Sequence, residues 1–232
     1  MLTILAITGL SYLAGAIPGS LWAGLGLHGI DIRNYGSKNA GATNAFRVLG
    51  WKAGVLATLI DFGKGVVAVA LVAQIRIDAV PALGPEAWAT AVVLGLIATV
   101  AAIFGHMFPV FANFEGGKGV NTAAGALLAL EPLTMALTLA LFFSVLLSTG
   151  YVSLSSMTGA VAFPSIVAIR RYGFGADLDP SLLLFTAVLG LAIIIAHQSN
   201  IRRLLNGTES RVSSFRPARG MLGRGELDAE TR

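Results

Sequence analysis

Residues 87–109 read AWATAVVLGLIATVAAIFGHMFP and contain no aspartate, glutamate, lysine or arginine. This length is enough for a helix to cross the hydrocarbon core of a bilayer, which takes about 20 mainly apolar residues. Of the 232 residues, 55% are hydrophobic and 12% are charged, whereas soluble domains carry roughly 25% charged residues. Helices satisfy their own backbone hydrogen bonds in lipid, so the sequence predicts an all-α polytopic membrane protein.

Seven apolar segments can be drawn along the chain. They are residues 2–25, 54–75, 87–109, 120–130, 133–148, 152–169 and 182–196. The fourth segment is too short for a full span and the last three are marginal, so some of the seven transmembrane helices are expected to be short or half-spanning. Alternatively, residues 120–148 would form one helix kinked at Pro132, which gives six crossings.

The distribution of lysine and arginine favours seven crossings with the N-terminus outside. In that topology only Arg76, Arg170 and Arg171 face outward, whereas six crossings would divide the basic residues almost evenly. Cytoplasmic loops of membrane proteins carry an excess of basic residues. We therefore expect one membrane domain over residues 1–212. The polar, aperiodic residues 213–232 are expected to form a disordered cytoplasmic tail.

Three polar stretches that contain glycine interrupt the apolar chain, and the seven-span topology places all three on the cytoplasmic side. They are Gly36-Ser37-Lys38-Asn39-Ala40-Gly41-Ala42-Thr43-Asn44 followed by Arg47, then Glu115-Gly116-Gly117-Lys118-Gly119, then His197-Gln198-Ser199-Asn200 followed by Glu209. Backbone N–H groups combined with hydroxyl, amide and basic side chains suit phosphate oxygens. These stretches predict a membrane enzyme that acts on a phosphorylated substrate.

The first two stretches carry different kinds of anion-binding group. The first offers the side-chain donors of Ser37, Asn39, Thr43, Asn44 and Arg47, and the planar fork of arginine suits a phosphate. In the second stretch, the glycine N–H groups and the N-terminus of the helix that follows would present partial positive charge to an anion. It is not a Walker A loop, because glycine and not serine or threonine follows its lysine. The alternatives are an ordinary basic loop and a flexible turn with a snorkelling lysine.

Other polar residues lie in or beside the apolar segments. His197 and Asn200, three residues apart, would share one helix face at the end of the last span and could orient a phosphate or relay a proton. A simple polar anchor is the alternative. Asp61 and Lys64 lie one turn apart inside the second span, where charged groups are costly, so mutual pairing is favoured over catalysis. His106, at the end of the third span, is a weaker candidate for the site.

Several classes of function are disfavoured by composition. The chain has no cysteine, which excludes a disulfide framework, a thiol nucleophile and thiolate metal sites. It has three histidines and no HExxH pattern, so neither a metal nor a cofactor is expected. The net charge of +4 is spread over loops that flank apolar segments, and membrane topology explains it better than nucleic-acid binding does.

The motifs resemble those of the bacterial acyl-phosphate-dependent glycerol-3-phosphate acyltransferases. The resemblance lies, in order, in Gly19-Ser20, residues 36–47, Asp61-Phe62-Gly63-Lys64-Gly65, residues 105–120 and residues 197–209. It implies seven membrane helices in the bacterial inner membrane and an active site on the cytoplasmic side. The implied reaction transfers a fatty acyl group from acyl phosphate to the sn-1 hydroxyl of glycerol 3-phosphate. Its products are lysophosphatidic acid and phosphate, and it is the first step of phospholipid synthesis.

The resemblance also implies roles for individual residues. Ser37 and Arg47 would be needed for activity, the Gly116-Gly117-Lys118 loop would bind glycerol 3-phosphate, and His197 and Asn200 would act in the third motif. The expected catalytic residues are Ser37, Arg47, Lys118, His197 and Asn200; the expected substrate-binding residues are Asn39, Thr43, Asn44, Gly116, Gly117, Lys118, Gly119 and His106; and Glu209, Asp61 and Lys64 are expected to be structural. No nucleophile stands out, so direct attack of the glycerol hydroxyl on the activated carbonyl is the hypothesis for the mechanism.

The competing interpretation is a membrane carrier or channel for a phosphorylated or anionic solute. Short, glycine-interrupted spans with anion-binding helix ends would fit such a protein. The polar clusters, however, gather at one membrane face and have no matched set near the midplane. The sequence leaves open the preferred acyl-chain length, the oligomeric state, whether His197 or the leaving phosphate takes the proton, and the role of the C-terminal tail.

Overall fold

The computed structural model describes residues 1–212 and 220–226, and all regular structure in these residues is helical. The helices are α1 (Leu2–Gly15), α2 (Gly19–His28), α3 (Ala42–Leu49), α4 (Trp51–Ala70), α5 (Thr90–Met107), α6 (Val120–Leu130), α7 (Pro132–Thr149), α8 (Val152–Ala168), α9 (Pro180–Ala196), α10 (Gln198–Leu205) and α11 (Gly220–Gly223). The predicted all-α class is confirmed.

Most of the predicted tail lies outside the described residues, but Met221 and Leu222 of α11 pack against a buried cluster that includes Ala45 and Val48.

The described residues contain five helical segments long and apolar enough to cross a membrane: Leu2–His28, Trp51–Gln74, Thr90–Ala112, Pro132–Thr149 and Val152–Gly173. The pair α9 and α10, bent by 58°, brings the count to six. With 11 residues, α6 is only about 16 Å long at 1.5 Å per residue, against a hydrocarbon core of about 30 Å. A polytopic membrane protein is confirmed, whereas the count of seven spans is not confirmed by length and composition.

The predicted first segment, residues 2–25, lies within Leu2–His28, which is long and apolar enough to cross a membrane, but its helix is interrupted between α1 and α2 at Pro18. Proline lacks a backbone N–H and disfavours helical geometry in the residue before it. The backbone carbonyl of Ile17, just before the break, accepts a hydrogen bond from Lys64 Nζ at 2.8 Å. The break therefore lets a charged side chain of α4 bond to the backbone inside the bundle.

The alternative of one kinked helix over residues 120–148 is also wrong. Glu131, which separates α6 from α7, has a non-helical backbone with φ −142° and ψ 78°. Pro132 occupies the first position of α7, where its missing N–H has no intrahelical partner to lose. The Glu131 carboxylate accepts hydrogen bonds from Arg170 and from Thr134 Oγ1. The two helices are therefore separate elements joined by a polar turn.

Glycines allow α4 and α6 to pack backbone against backbone. A Cβ placed on Gly65 would overlap the carbonyl of Thr122, and one placed on Gly125 would overlap the carbonyl of Phe62. Small residues are enriched at membrane helix interfaces because they let backbones approach closely. The contact fixes the position of α6, and with it the glycine loop that precedes this helix.

Replacing Gly65 by alanine should destabilise the protein, because the new methyl group meets the α6 backbone and not a movable side chain. Overpacking of this kind costs about 1–3 kcal/mol. A Cβ placed on Gly63, in the same helix, would have no heavy atom within 4 Å, so this position supplies the matched control. Thermal unfolding in detergent should show a lower Tm for Gly65→Ala and no loss for Gly63→Ala. Equal Tm values would contradict the tight α4–α6 contact.

Polar contacts at one end of the bundle join the starts and ends of several helices. The N-terminal ammonium and Asp78 form an ion pair, and Asp179 at the start of α9 accepts a hydrogen bond from Ala89 N at 2.6 Å. The Glu131–Arg170 pair lies at the ends of α6 and α8. Chain connectivity places the three predicted polar stretches at the opposite end.

Candidate functional site

Four segments of the chain converge at the end of the bundle opposite the Met1–Asp78 ion pair. They are the first polar stretch, the glycine loop, the start of α8, and α10 with the residues that follow it. The glycine loop between α5 and α6 contacts α10, because Lys118 Nζ donates to Asn200 Oδ1. The start of α8 contacts the segment after α10, because Ser153 Oγ donates to Glu209 Oε1 at 2.8 Å. The first stretch also reaches the glycine loop, since a Cβ on Gly117 would lie 2.8 Å from the carbonyl oxygen of Ala40. The predicted convergence of the three stretches is therefore present.

Glu209 forms the centre of the polar network. Its Oε1 accepts from Asn200 Nδ2 at 2.7 Å as well as from Ser153, and its Oε2 accepts from Arg203 Nε at 2.6 Å. The side chain of Glu209 is 7% exposed. Burial raises the pKa of this carboxyl, but the hydrogen bonds from Asn200, Arg203 and Ser153 outweigh burial, so the net pKa is lowered. Glu209 therefore remains ionised among basic side chains.

Arg203 and Ser153 belong to the network but were not among the residues predicted from the sequence. Arg203 lies one turn after Asn200 on α10, a spacing that places both on one helix face. It forms an ion pair with Glu209, six residues further along the chain. Ser153 lies in the first turn of α8 and is buried. The spacing from Asn200 could have predicted the role of Arg203. Ser153 and Glu209 are 56 residues apart, so no local sequence pattern predicts their contact.

Lys118 is the cation that the glycine loop presents to this network. Burial lowers the pKa of its ammonium group, the like charge of Arg203 lowers it further, and Glu209 opposes both. The next residue, Gly119, has φ +76° and begins α6, a left-handed conformation that favours glycine. The position of Lys118 is thus set on one side by a glycine turn and on the other by its bond to Asn200.

The backbone N–H groups of Gly116 and Gly117 bond to carbonyl groups of α5, whereas the sequence predicted that they would be available to an anion. Gly116 N donates to Met107 O at 3.1 Å and Gly117 N donates to His106 O at 3.2 Å. Carbonyls in the last turn of a helix have no intrahelical partner, and the loop supplies donors for those at the end of α5. The two glycines anchor the loop and leave the side chain of Lys118 as its cationic group.

The first stretch is organised by Asn44, which is 1% exposed. Its Oδ1 accepts from Ser37 N at 2.9 Å, and its Nδ2 donates to Ile32 O at 3.0 Å and to Tyr35 O at 3.1 Å. The amide of Asn44 is therefore engaged with the loop backbone, where the sequence predicted a substrate contact. Ser37 and Thr43 are exposed and Asn39 is half-buried, so these side chains are accessible at the surface of the loop.

Arg47 lies on α3, near the third polar stretch. Burial lowers the pKa of its guanidinium, the charge of Glu209 raises it and the charge of Arg203 lowers it. The charges of Glu209 and Arg203 thus act on Arg47 as they do on Lys118. Of the three basic side chains, Arg203 pairs with Glu209 directly, and Lys118 reaches it through Asn200.

His197 lies just outside α10, the helix that carries Asn200, whereas the sequence predicted both residues on one helix face. α9 ends at Ala196 and α10 begins at Gln198, with a bend of 58° between them. His197 is buried at the bend, and its Nδ1 lies 2.8 Å from the carbonyl oxygen of Ile193. Because a carbonyl only accepts hydrogen bonds, Nδ1 carries the proton and Nε2 is left as an acceptor.

Asp61, Lys64 and His106 form a buried cluster behind the glycine loop, with 1%, 5% and 6% exposure respectively. Lys64 Nζ lies 3.0 Å from Asp61 Oδ1, so the pairing that the sequence favoured is present. The imidazole of His106 lies against Gly117, because a Cβ on Gly117 would overlap His106 Nε2. Its backbone carbonyl accepts from the loop. His106 therefore contacts the loop directly, where the sequence predicted a substrate contact.

The fold and this charged network define a helical membrane protein with a cationic site at one end of its bundle. Three comparisons with known proteins agree on the family of membrane proteins to which it belongs. A model of the glycerol-3-phosphate acyltransferase family matches residues 5–207. A glycerol-3-phosphate acyltransferase of Salinibacter ruber (strain DSM 13855 / M31) is 65% identical over 232 residues, which cover 98% of this chain and 100% of the relative.

Two solved structures of PlsY (YgiH), an integral membrane glycerol 3-phosphate acyltransferase, have a similar fold. The glycerol 3-phosphate form has a TM-score of 0.72 and 33% identity, covering 90% of this chain and 96% of that one. The lysophosphatidic acid form has a TM-score of 0.70 and 32% identity, covering 90% and 94%. The chain belongs to the glycerol-3-phosphate acyltransferase family. It is an integral membrane acyltransferase, which confirms the enzyme class that the motifs predicted.

Proposed function

We propose that this protein transfers a fatty acyl group from acyl phosphate to the sn-1 hydroxyl of glycerol 3-phosphate. The products would be lysophosphatidic acid and inorganic phosphate, in the first step of phospholipid synthesis. The observation that carries the proposal is the polar network at one end of an apolar bundle, in which Lys118 donates to Asn200, and Asn200 and Arg203 donate to Glu209. The two solved PlsY structures, described as a glycerol 3-phosphate form and a lysophosphatidic acid form, support the choice of acceptor and product.

The proposed site holds phosphate groups by charge. Basic side chains give strong charge-assisted hydrogen bonds to phosphate oxygens, and the guanidinium fork of arginine matches their geometry. Lys118 and Arg47 bind the phosphate of glycerol 3-phosphate, and the accessible Ser37 and Thr43 add hydroxyl groups at the same end. Glu209 balances part of the positive charge, which keeps three cations close together when no substrate is bound.

The proposed chemistry is one direct displacement. The oxygen of the glycerol hydroxyl forms a bond to the acyl carbon, the bond from that carbon to the phosphate oxygen breaks, and phosphate leaves with the bonding electrons. The hydroxyl proton passes to His197 Nε2, the free acceptor of that ring, or to the departing phosphate. In this proposal Asn200 and Ser37 donate to the developing oxyanion, an interaction worth roughly 2.7–4 kcal/mol for one well-placed donor.

The proposed orientation puts this site on the cytoplasmic side of the bacterial inner membrane, with seven crossings and the N-terminus outside. Met1 contacts Asp78, in the loop before α5, and Asn200 contacts Lys118, in the loop after α5. The N-terminus and Asn200 therefore lie at opposite ends of the bundle, which supports an odd number of crossings. A site at the membrane surface suits both substrates, because glycerol 3-phosphate arrives from water while the acyl chain remains in lipid. Neither molecule then crosses an unfavourable environment.

Purified protein in detergent tests the reaction. With acyl phosphate and glycerol 3-phosphate it should release inorganic phosphate and form 1-acyl lysophosphatidic acid in equal amounts, and an acyl thioester should not replace acyl phosphate. Acylation from the thioester alone would contradict the donor, and a 2-acyl product would contradict the position. Anion flux in liposomes without any acylated product would favour the carrier.

A further inference from the structure

The buried cluster of Asp61, Lys64 and His106 joins three parts of the bundle. Lys64 Nζ lies 3.0 Å from Asp61 Oδ1, 2.8 Å from His106 Nδ1 and 2.8 Å from the backbone oxygen of Ile17. Asp61 and Lys64 lie on α4, His106 on α5, and Ile17 at the break between α1 and α2. Charged groups in a membrane interior are expensive and are commonly functional. The proposed chemistry at Lys118 and Arg47 leaves this cluster without a role.

The geometry of the cluster selects one tautomer of His106. With Lys64 paired to Asp61 as an ammonium group, which has three donors and no acceptor, Nδ1 of His106 accepts the bond from Lys64. The ring proton then resides on Nε2. This assignment leaves one negative and one positive charge in contact beside a neutral imidazole, so the buried cluster carries no net charge.

The protonated Nε2 of His106 lies at the underside of the glycine loop. A Cβ on Gly117 would overlap Nε2 and would lie 2.8 Å from the carbonyl oxygen of Ala40, so the loop, the imidazole and the first polar stretch meet at this point. Gly117 N also donates to the backbone oxygen of His106 at 3.2 Å. Lys118 is the next residue, and a rigid support for Gly117 therefore sets where its ammonium group points.

We propose that Asp61, Lys64 and His106 are positioning residues for glycerol 3-phosphate binding. Lys64, neutralised by Asp61, holds His106 in the Nε2–H tautomer and in one ring orientation, and His106 supports Gly117 so that Lys118 faces Asn200. None of the three side chains touches the substrate. This inference rests on the proposed binding of glycerol 3-phosphate at Lys118.

Steady-state kinetics separate positioning from a purely structural role. The variant Asp61→Asn/Lys64→Met removes both charges and avoids an isolated buried carboxylate. Its KM for glycerol 3-phosphate should rise about tenfold or more, since small displacements of binding groups are costly, while its KM for acyl phosphate stays within about twofold of the wild-type value. If both KM values are unchanged and only the yield of folded enzyme falls, the cluster is merely structural and the proposal is wrong.

The matched control is Thr99→Val, which removes a fully buried polar group of α5 whose hydroxyl donates to Gly95 O at 2.8 Å. It lies away from the glycine loop and should leave both KM values unchanged. A rise in the KM for glycerol 3-phosphate in this variant as large as that in the double variant would overturn the assignment to the cluster.

A nitrogen-15 NMR measurement on histidine-labelled protein tests the tautomer without any substrate. The chain has three histidines, and His106 is assigned as the signal lost in His106→Gln. In the wild type we expect a proton on Nε2 and none on Nδ1. In Lys64→Met the proton should move to Nδ1, which lies 3.4 Å from Asp61 Oδ1. A wild-type proton on Nδ1 would overturn the proposal, whereas absence of acyl transfer in the wild type would instead refute the proposed function.

Discussion

Replacing Lys118 by methionine should lower kcat/KM for glycerol 3-phosphate by at least about a hundredfold, which corresponds to about 2.7 kcal/mol. Lys118 is the basic side chain of the glycine loop, and its ammonium group is already directed at Asn200. Methionine keeps the length and apolar character of the side chain but has no charge and no donor. The change should therefore remove the proposed interaction with phosphate and leave the fold intact.

The control for this variant is Lys52→Met, which removes an exposed lysine at the start of α4. Rates measured with both substrates, together with the Tm in detergent, should show normal activity for Lys52→Met and normal Tm for both proteins. Activity of Lys118→Met within a few-fold of wild type would show that the glycine loop is not the phosphate-binding element.

Replacing Glu209 by glutamine should have the second-largest effect, on stability and on activity together. The carboxylate accepts three hydrogen bonds and lies beside Arg47, Lys118 and Arg203. Hydrogen bonds to a charged group contribute about 1.5–3 kcal/mol each, so we expect a loss of about 2–4 kcal/mol at pH 7. Glutamine keeps one oxygen for Asn200 and Ser153 but turns an NH2 group toward Arg203. Activity should fall because the negative charge that holds the basic side chains in place is lost.

The effect of Glu209→Gln should depend on pH. The pKa of this carboxyl is lowered in the folded protein relative to its ordinary value of 4.5. Its contribution is therefore fully present above that value and disappears as the pH falls below 4.5 through the folded-state pKa. The difference in Tm between wild type and Glu209→Gln should thus shrink on acidification.

Glu226→Gln serves as the control for this measurement. It removes a carboxylate that pairs with Arg224 at the surface, with both side chains nearly half exposed, and such pairs contribute little. It should leave Tm and activity unchanged. If Glu209→Gln behaved like Glu226→Gln at pH 7, Glu209 would not be the centre of the network.

Where turn signals flank an apolar segment, the sequence predicted the helix well. Residues 120–130 coincide with α6, because Gly119 precedes the helix in a left-handed conformation and Glu131 with Pro132 ends it. The break at Pro18 was missed because its flanking residues are as apolar as the rest of the segment, and proline occurs within membrane helices. Hydropathy measures how apolar a segment is and does not report how straight it is.

The candidate site shows the same division between local and long-range information. The residues of the three stretches were predicted from their chemistry, and the structure brings those stretches together. The sequence could not show that the side-chain amide of Asn44 hydrogen-bonds to the backbone of its own loop. Nor could it show that the backbone N–H groups of Gly116 and Gly117 bond to carbonyls at the end of α5. These outcomes depend on which backbone groups lack partners after the helices have packed, and residue type does not encode that.

Single-cysteine labelling tests most directly whether the separate basic turns form one cytoplasmic site. The chain has no cysteine, so an introduced one is the only target for a membrane-impermeant maleimide. Suitable exposed positions are provided by Lys38→Cys, Glu115→Cys and Ser210→Cys at the site end and Ile77→Cys at the other end. In intact spheroplasts only Ile77→Cys should be labelled, and the other three should react only in inside-out vesicles. Labelling of Glu115→Cys from outside while Lys38→Cys stays protected would place the two turns on opposite membrane faces and would contradict a shared site.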